Sequence, residues 1–307
     1  MSDTDAAVLI IGEALIDVVE REGERTEHVG GSPANVAIGA ARLGADVELW
    51  TAIGADAYGG RIASHVSSSG ARLGPHSVRA AATATAVAVI DDKGSARYLF
   101  DIGWEPAFGP LGIRRVVHAG SIGLFLEPGA DAVLALLEDA ARDGALVTVD
   151  PNVRPAITPD RAQVVARFER AVRSAHLVKL SDEDAAWLYP GTDEDEVVRR
   201  ISELGALVVL VTRGERGVRA RTMQRDIVMP AFVVDVADTI GAGDAFMASL
   251  VDDLASQGAL TDDRLGLVLR RALAAAAMTV TIPGADPPLR DQRDAFLLQS
   301  GCDRRVT

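Results

Sequence analysis

Lysine is nearly missing from this sequence: Lys93 and Lys179 are the only two, against 29 arginines. Neither precedes Ser or Thr, which excludes the GK[ST] loop that cradles nucleotide phosphates. Cysteine is scarcer still. Cys302 stands alone, so no intrachain disulfide can form, as suits a reducing compartment. Positive charge is short as well, and the formal net charge of -13 argues against binding a nucleic-acid backbone or an anionic membrane surface. An anionic ligand would therefore need local devices. No apolar run approaches the roughly 20 residues a membrane helix requires. The opening stretch MSDTDAAVLIIG has no basic segment ahead of its apolar residues, unlike a secretory signal, and a cytoplasmic protein is expected. The histidines, at 28, 65, 76, 118 and 176, lack metal-binding spacing and read as structural or solvated.

What is present is length and rhythm. At 307 residues and 48% hydrophobic, the chain suits one large α/β domain, with or without a small addition. Apolar runs at 8–12, 46–54, 114–120, 145–150, 175–180 and 206–212 alternate with amphipathic stretches such as 34–43, 129–143 and 160–173. That alternation predicts a doubly wound, mostly parallel sheet with helices on both faces. Residues 13–30 and 83–101 break the rhythm. They read as extended and turn-linked, the second with a DKG turn, and predict a small projecting sheet. The acidic run TDEDE, 192–196, reads as a solvated helix start.

In open α/β sheets, ligands bind beyond the carboxyl ends of the strands. Three successive strand ends are polar: Asp150 with Asn152, Lys179 with Ser181, and Thr212 with Gly214. A fourth feature follows at VADTIGAGDAFMASL, 236–250. Amides of Gly241, Ala242 and Gly243 can cradle an anion at the start of a helix expected from about 244 to 257. Asp244 in that turn would repel the anion at rest. It is either a helix cap or a group that takes a proton. In GGSPANVAIGAARLG, 30–44, Gly30 and Gly31 would let a ligand lie against backbone while Asn35 bonds hydroxyls. The same stretch nearly matches the GxSxG elbow of serine hydrolases. Pro33 after the serine removes the amide that an oxyanion hole would need.

Together these motifs resemble the ribokinase-like, or PfkB-type, sugar kinases over nearly the whole chain. GEALID, GGSPANVA, DPNVRP, VKLSDED, VTRGERG and DTIGAGDAF stand in that family's order, and the first three look most like its fructokinase-related branch. The resemblance implies one kinase domain over 1–307, with 13–30 and 83–101 as a lid. It implies ATP-dependent phosphorylation of a sugar hydroxyl, with fructose or a related ketose expected. Alternatives are 2-keto-3-deoxygluconate, ribose, or a catalytically silent sugar-binding protein on the same fold. Asp244 would be the base, and the amides of 241–243 the anion hole. Asp17, Gly30, Gly31 and Asn35 would contact sugar, Asn152 and Arg154 the sugar or the transferred phosphate. Lys179, Ser181, Thr212, Gly214 and Gly217 match nucleotide-side positions. Asp184 would organise Mg2+ through water, and Asp238 would ligate a monovalent cation, expected to be K+. Among lid residues Arg97, Tyr98 and Phe100, Phe100 is the expected sugar contact. Leu273 and Ile282 replace polar or basic residues common in the family, so any adenine contact there must be apolar or main-chain. Exposed lid edges imply a homodimer.

Overall fold

The computed structural model describes residues 7–21, 24–90 and 96–300. The expected DKG turn at 92–94 and Cys302 lie outside the described residues. The strands are β1 (Val8–Ile11), β2 (Leu15–Arg21), β3 (Glu24–Gly30), β4 (Val47–Trp50), β5 (Ile53–Gly54), β6 (Arg72–Leu73), β7 (Val78–Arg79) and β8 (Thr85–Ile90). They continue as β9 (Ala96–Asp101), β10 (Val116–Gly120), β11 (Leu146–Asp150), β12 (Leu177–Ser181), β13 (Val208–Thr212), β14 (Val218–Arg221) and β15 (Asp226–Met229). The helices are α1 (Ser32–Arg42), α2 (Ala57–Ser68), α3 (Gly129–Arg142), α4 (Arg161–Val172), α5 (Asp182–Leu188), α6 (Glu194–Leu204), α7 (Ala242–Gln257), α8 (Asp262–Thr279) and α9 (Arg290–Gln299).

Nine strands form the main sheet in the order β15-β14-β13-β12-β11-β10-β1-β4-β6. Its pairs are parallel except at one edge, where β13, β14 and β15 run antiparallel. Strand β1 is buried throughout, and its side chains alternate between two cores. Val8 and Ile10 enter one core with residues of α1, α7 and α8, while Leu9 and Ile11 enter another with residues of α3, α4 and α6. A strand buried on both faces must be apolar at every position, which is why VLII shows no alternation. This is the doubly wound sheet expected. Chain order reverses around β1, so the ends of β1 and β10 form a switch point where a ligand crevice opens.

A second sheet, ordered β3-β2-β8-β9, stands apart from the first. It comprises the two segments that broke the rhythm. One expectation needs correcting. The run 46–54 is not one strand: β4 ends at Trp50, and Ile53–Gly54 pairs with Val78–Arg79 instead. Ile53 N–H donates to the Ser77 carbonyl and Gly54 N–H to Thr83 Oγ1, so the backbone there is satisfied by the 77–83 loop and leaves the main sheet. The acidic run behaves as expected, with Asp193 capping α6 by accepting from Glu196 N–H. Among the described residues no helix is long and apolar enough to cross a membrane.

Candidate active site

The turn before α7 is built on Gly241. Its φ of 77° is left-handed, and a Cβ there would stand 2.6 Å from the Ala285 Cβ, so only glycine fits without strain. Helix α7 begins at Ala242, two residues earlier than expected. Gly243 is helical, so the positive φ belongs to Gly241. The N–H groups of Gly241 and Gly243 donate to no acceptor among the described residues, and Ala242 N–H reaches the Thr239 carbonyl only at 3.4 Å. These are orphan donors at the positive end of a 16-residue helix.

Asp244 is the third residue of α7, and no side chain caps that helix. Its carboxylate is instead held from α1. Ser32 Oγ donates to Oδ1 at 2.7 Å, and Asn35 Nδ2 donates to Oδ2 at 2.8 Å, all three residues being buried. The helices approach this closely because Gly39 has no side chain: a Cβ there would lie 2.7 Å from the Ala248 Cβ. The cap reading therefore fails. Asp244 is fixed in orientation by two donors beside a turn of free amides, as a positioned proton acceptor must be.

The second sheet brings another carboxylate to the cleft. Asp17 is exposed on β2, and glycine at 30 makes room for it, since a Cβ there would stand 1.9 Å from Asp17 Oδ2. Gly31, with φ 100°, lies against the Glu13 carbonyl. Surrounding protein pushes the Asp17 carboxyl above its usual range, opposed by Arg154 and His28 and reinforced by Asp244. Arg154, His28 and Asp244 are thus near enough to act on Asp17. Register settles which lid residues share that face. Asp17 pairs with His28 on one side and Ala86 on the other, and Ala86 pairs with Phe100. Cross-strand partners point the same way, so Phe100 lies on the Asp17 face, as does Tyr98, which stacks on it at 6.0 Å. Arg97 lies on the opposite face. Asn152 adopts a φ of 36°, a strained conformation that asparagine tolerates, and precedes the exposed Arg154.

Other expected residues are already engaged. Ser181 caps α5 in a reciprocal box with Asp184. Asp184 Oδ2 accepts from Ser181 N–H and Oγ, and Oδ1 accepts from Val153 N–H at 2.8 Å. A carboxylate has about four acceptor positions, so Asp184 keeps one for water. Thr212 Oγ1 reaches back to the Leu180 carbonyl. Gly217 has a local reason: a Cβ would lie 2.0 Å from the Met229 carbonyl oxygen. Gly214 faces open space. Asp238 ties two segments together, accepting from Ile240 N–H and Gly284 N–H at 3.0 Å each, and these bonds hold its carboxyl below the usual range. Leu273 is buried in the α8 core, so of the two family departures only Ile282 offers surface.

Lys179 is buried and paired with Asp150 at 2.7 Å. Burial raises Asp150 to about 6, and its Oδ1 has no hydrogen-bond partner. Among the described residues no group of three His, Cys, Asp or Glu side chains is poised to hold a metal. His118 is buried against Thr148 and pushed down to about 3 by burial, hence neutral.

Sequence reasoning overlooked two residues. In the sequence Ser32 reads only as part of a failed nucleophile elbow, although its place three residues before Asn35 puts both side chains on one turn of α1. Glu13 follows β1 at the switch point, accepts from Gly123 N–H at 3.0 Å, and is raised to about 7 by burial. A glutamate ending a fully apolar strand was the available signal.

The sequence pattern of the pfkB family carbohydrate kinases matches residues 5–292. A fructokinase of Salmonella typhimurium is 33% identical over 306 residues, covering 94% of this chain and 98% of that protein. The solved fructokinase of Xylella fastidiosa with bound ATP superposes with a TM-score of 0.83 at 26% identity, over 95% of this chain and 98% of that one. An aminoimidazole riboside kinase from Salmonella enterica, complexed with aminoimidazole riboside and an ATP analogue, superposes with the same TM-score at 27% identity, over 94% and 99%. The held carboxylate, the free helix amides and these likenesses agree, and the chain belongs to the PfkB family of carbohydrate kinases.

Proposed function

We propose that this carbohydrate kinase transfers the terminal phosphoryl group of ATP to a hydroxyl of fructose or a related ketose. The observation that carries the reading is Asp244, held by Ser32 and Asn35 beside the unpaired amides of the α7 turn. Asp244 accepts the sugar hydroxyl proton as the new O–P bond forms and the bond from the phosphorus to the ADP oxygen breaks. Such transition states are loose, so positioning and charge stabilisation dominate. The amides of Gly241, Ala242 and Gly243 receive charge on the transferred group. Asp17, with room left by Gly30 and Gly31, accepts hydrogen bonds from sugar hydroxyls. Phe100 covers the sugar from the lid, and Asn152 and Arg154 close the side nearest the phosphate. Ser181, Thr212, Gly214 and Gly217 shape the nucleotide side.

Mg2+ bound with ATP would neutralise charge on the phosphates. The open acceptor position of Asp184 fits an ion that keeps most of its waters. Asp238 is ionised and has acceptor positions beyond its two amide bonds, which suits an oxygen ligand for K+. The likeness to fructokinases of 33% identity supports the ketose. Equal superposition on the aminoimidazole riboside kinase supports a second reading, a ribosyl substrate. We further propose a cytoplasmic homodimer that pairs through lid edge β9, where Tyr98 and Leu99 are exposed; sedimentation measures its mass.

An ADP-release assay over fructose, other ketoses, ribose, 2-keto-3-deoxygluconate and a riboside tests the reading. Highest kcat/KM on fructose is expected. A riboside preference would select the second reading, and saturable sugar binding without turnover would mean a silent binding protein.

A further inference from the structure

The chain has all but dispensed with lysine, yet Lys179 lies in its interior at 4% exposure. An ammonium has three donors. One is used on Asp150 Oδ2, and among the described residues no other acceptor is found for Lys179. Its Nζ stands 3.1 Å from where a Cβ on Gly243 would be, so the charge abuts the anion-binding turn and not the outer strands. The amides of Gly241 and Gly243 in that turn also have no acceptor among the described residues, and they lie at the positive end of α7. The buried ammonium and the half-buried turn thus lie side by side, both with donors to spare for an anion that enters at the turn.

The surrounding charges explain why a cation is needed. Asp150, Asp184 and Asp244 all act on Lys179. A phosphoryl group arriving at the turn would face these carboxylates, and Lys179 is the buried cation among them. Burial works against the charge on Lys179, but the carboxylates, Asp150 foremost, outweigh it and keep the amine protonated. A compact ammonium also fits where the planar, wider guanidinium of arginine would press on Gly243, which gives the exception to arginine a physical cause.

We propose that Lys179 is a catalytic residue whose ammonium binds the phosphoryl group in transit together with the α7 amides, while Asp150 anchors it. This rests on the kinase reading and narrows the role of Lys179 from the nucleotide side in general to the reacting phosphoryl group.

The test compares wild type, Lys179→Met, and the double variant Lys179→Met with Asp150→Asn, which leaves no unpaired buried charge and guards against misfolding. Turnover is measured beside calorimetric titration with fructose, ADP and a non-hydrolysable ATP analogue with an imido bridge. In both variants kcat should fall on the order of 10²- to 10³-fold, as for loss of one charge-stabilising donor. The analogue should bind about tenfold more weakly while ADP and fructose affinities hold. Equal weakening of analogue and ADP would make Lys179 a general nucleotide contact with no part at the phosphoryl group in transit, and recovery of turnover in the double variant would reduce it to a counter-ion of Asp150. The ratio of analogue to ADP affinity needs no turnover. A wild type that phosphorylates no sugar would thus defeat the kinase reading while the ratio still decides the role of Lys179.

Discussion

Asp244 is distinguished at the scale of single residues by what holds it. Two donors orient the carboxylate while leaving further acceptor positions for a hydroxyl. Asp244→Asn should keep sugar and nucleotide affinity and lower kcat by a factor on the order of 10² or more, the usual contribution of a positioned base. Near-normal turnover would show that the carboxylate only supports the helix start. Ser32→Ala removes one orienting bond to a charged group, worth about 1.5–3 kcal/mol where fully desolvated. It should lower kcat about tenfold with the sugar KM little changed; a rise in KM alone would mean that Ser32 binds sugar. Glu13 is a different case. Its carboxyl is raised in the folded protein from 4.5 to about 7 by burial, so between those pH values the folded state binds more protons than the unfolded state. Stability from this group is therefore fully present below about pH 4.5 and lost as pH rises through about 7, by about 3 kcal/mol. Glu13→Gln keeps an acceptor for Gly123 N–H without the charge. Denaturant titrations should show it gaining on wild type at pH 8 relative to pH 5, and a difference that ignores pH would overturn this account.

Elements set the next scale, and the start of α7 is where local and tertiary demands meet. The turn needs a left-handed residue at Gly241 for its backbone and a small one for Ala285. Gly241→Val violates both. Strain alone costs about 1–3 kcal/mol, and shifting the turn also displaces the amides, so urea midpoint and kcat should fall together. Gly60→Ala is the contrast: in α2 a Cβ meets nothing within 4 Å, and helix propensity predicts a gain of about 0.5–1 kcal/mol. If both variants shift the midpoint alike, the geometry of the turn is not what matters. The α5 start teaches a related lesson. VKLSDED looks like a ligand motif, and part of its pattern is explained by the capping box of Ser181 and Asp184. A sequence signature can thus serve structure and site with the same atoms.

Across the whole molecule, two cores clamp the main sheet, while the second sheet packs only one face, through Ile16 and Val18, on the first of them; its other face has the small cluster of Leu15, Ala84 and Ile122, and β8 is no more than half-buried along its length. Burial is what protects backbone hydrogen bonds, so the small sheet belongs to the less stable part of the fold. A lid that closes over sugar should be ordered by it. Hydrogen exchange at 85–90 should slow about tenfold or more on adding the preferred sugar, with 116–120 and 146–150 unchanged; equal rates with and without sugar would leave the small sheet as a fixed wall. Much of this was legible beforehand. Apolar runs, amphipathic stretches and turn residues are local, so the alternation of strand and helix, the projecting sheet and the polar strand ends could be read in order along the chain. The ordered motifs carried the family. What remained hidden is what lies across the chain. Ser32 and Asn35 meet Asp244 over separations of 212 and 209 residues, and Lys179 of β12 comes beside Gly243 at the start of α7 only in the folded chain. Strand register alone decided that Phe100 shares a face with Asp17 and Arg97 does not. Periodicity tells which side of an element is buried, because that depends on the element itself. Which buried groups meet depends on how helices and sheets pack, and only the folded chain fixes that.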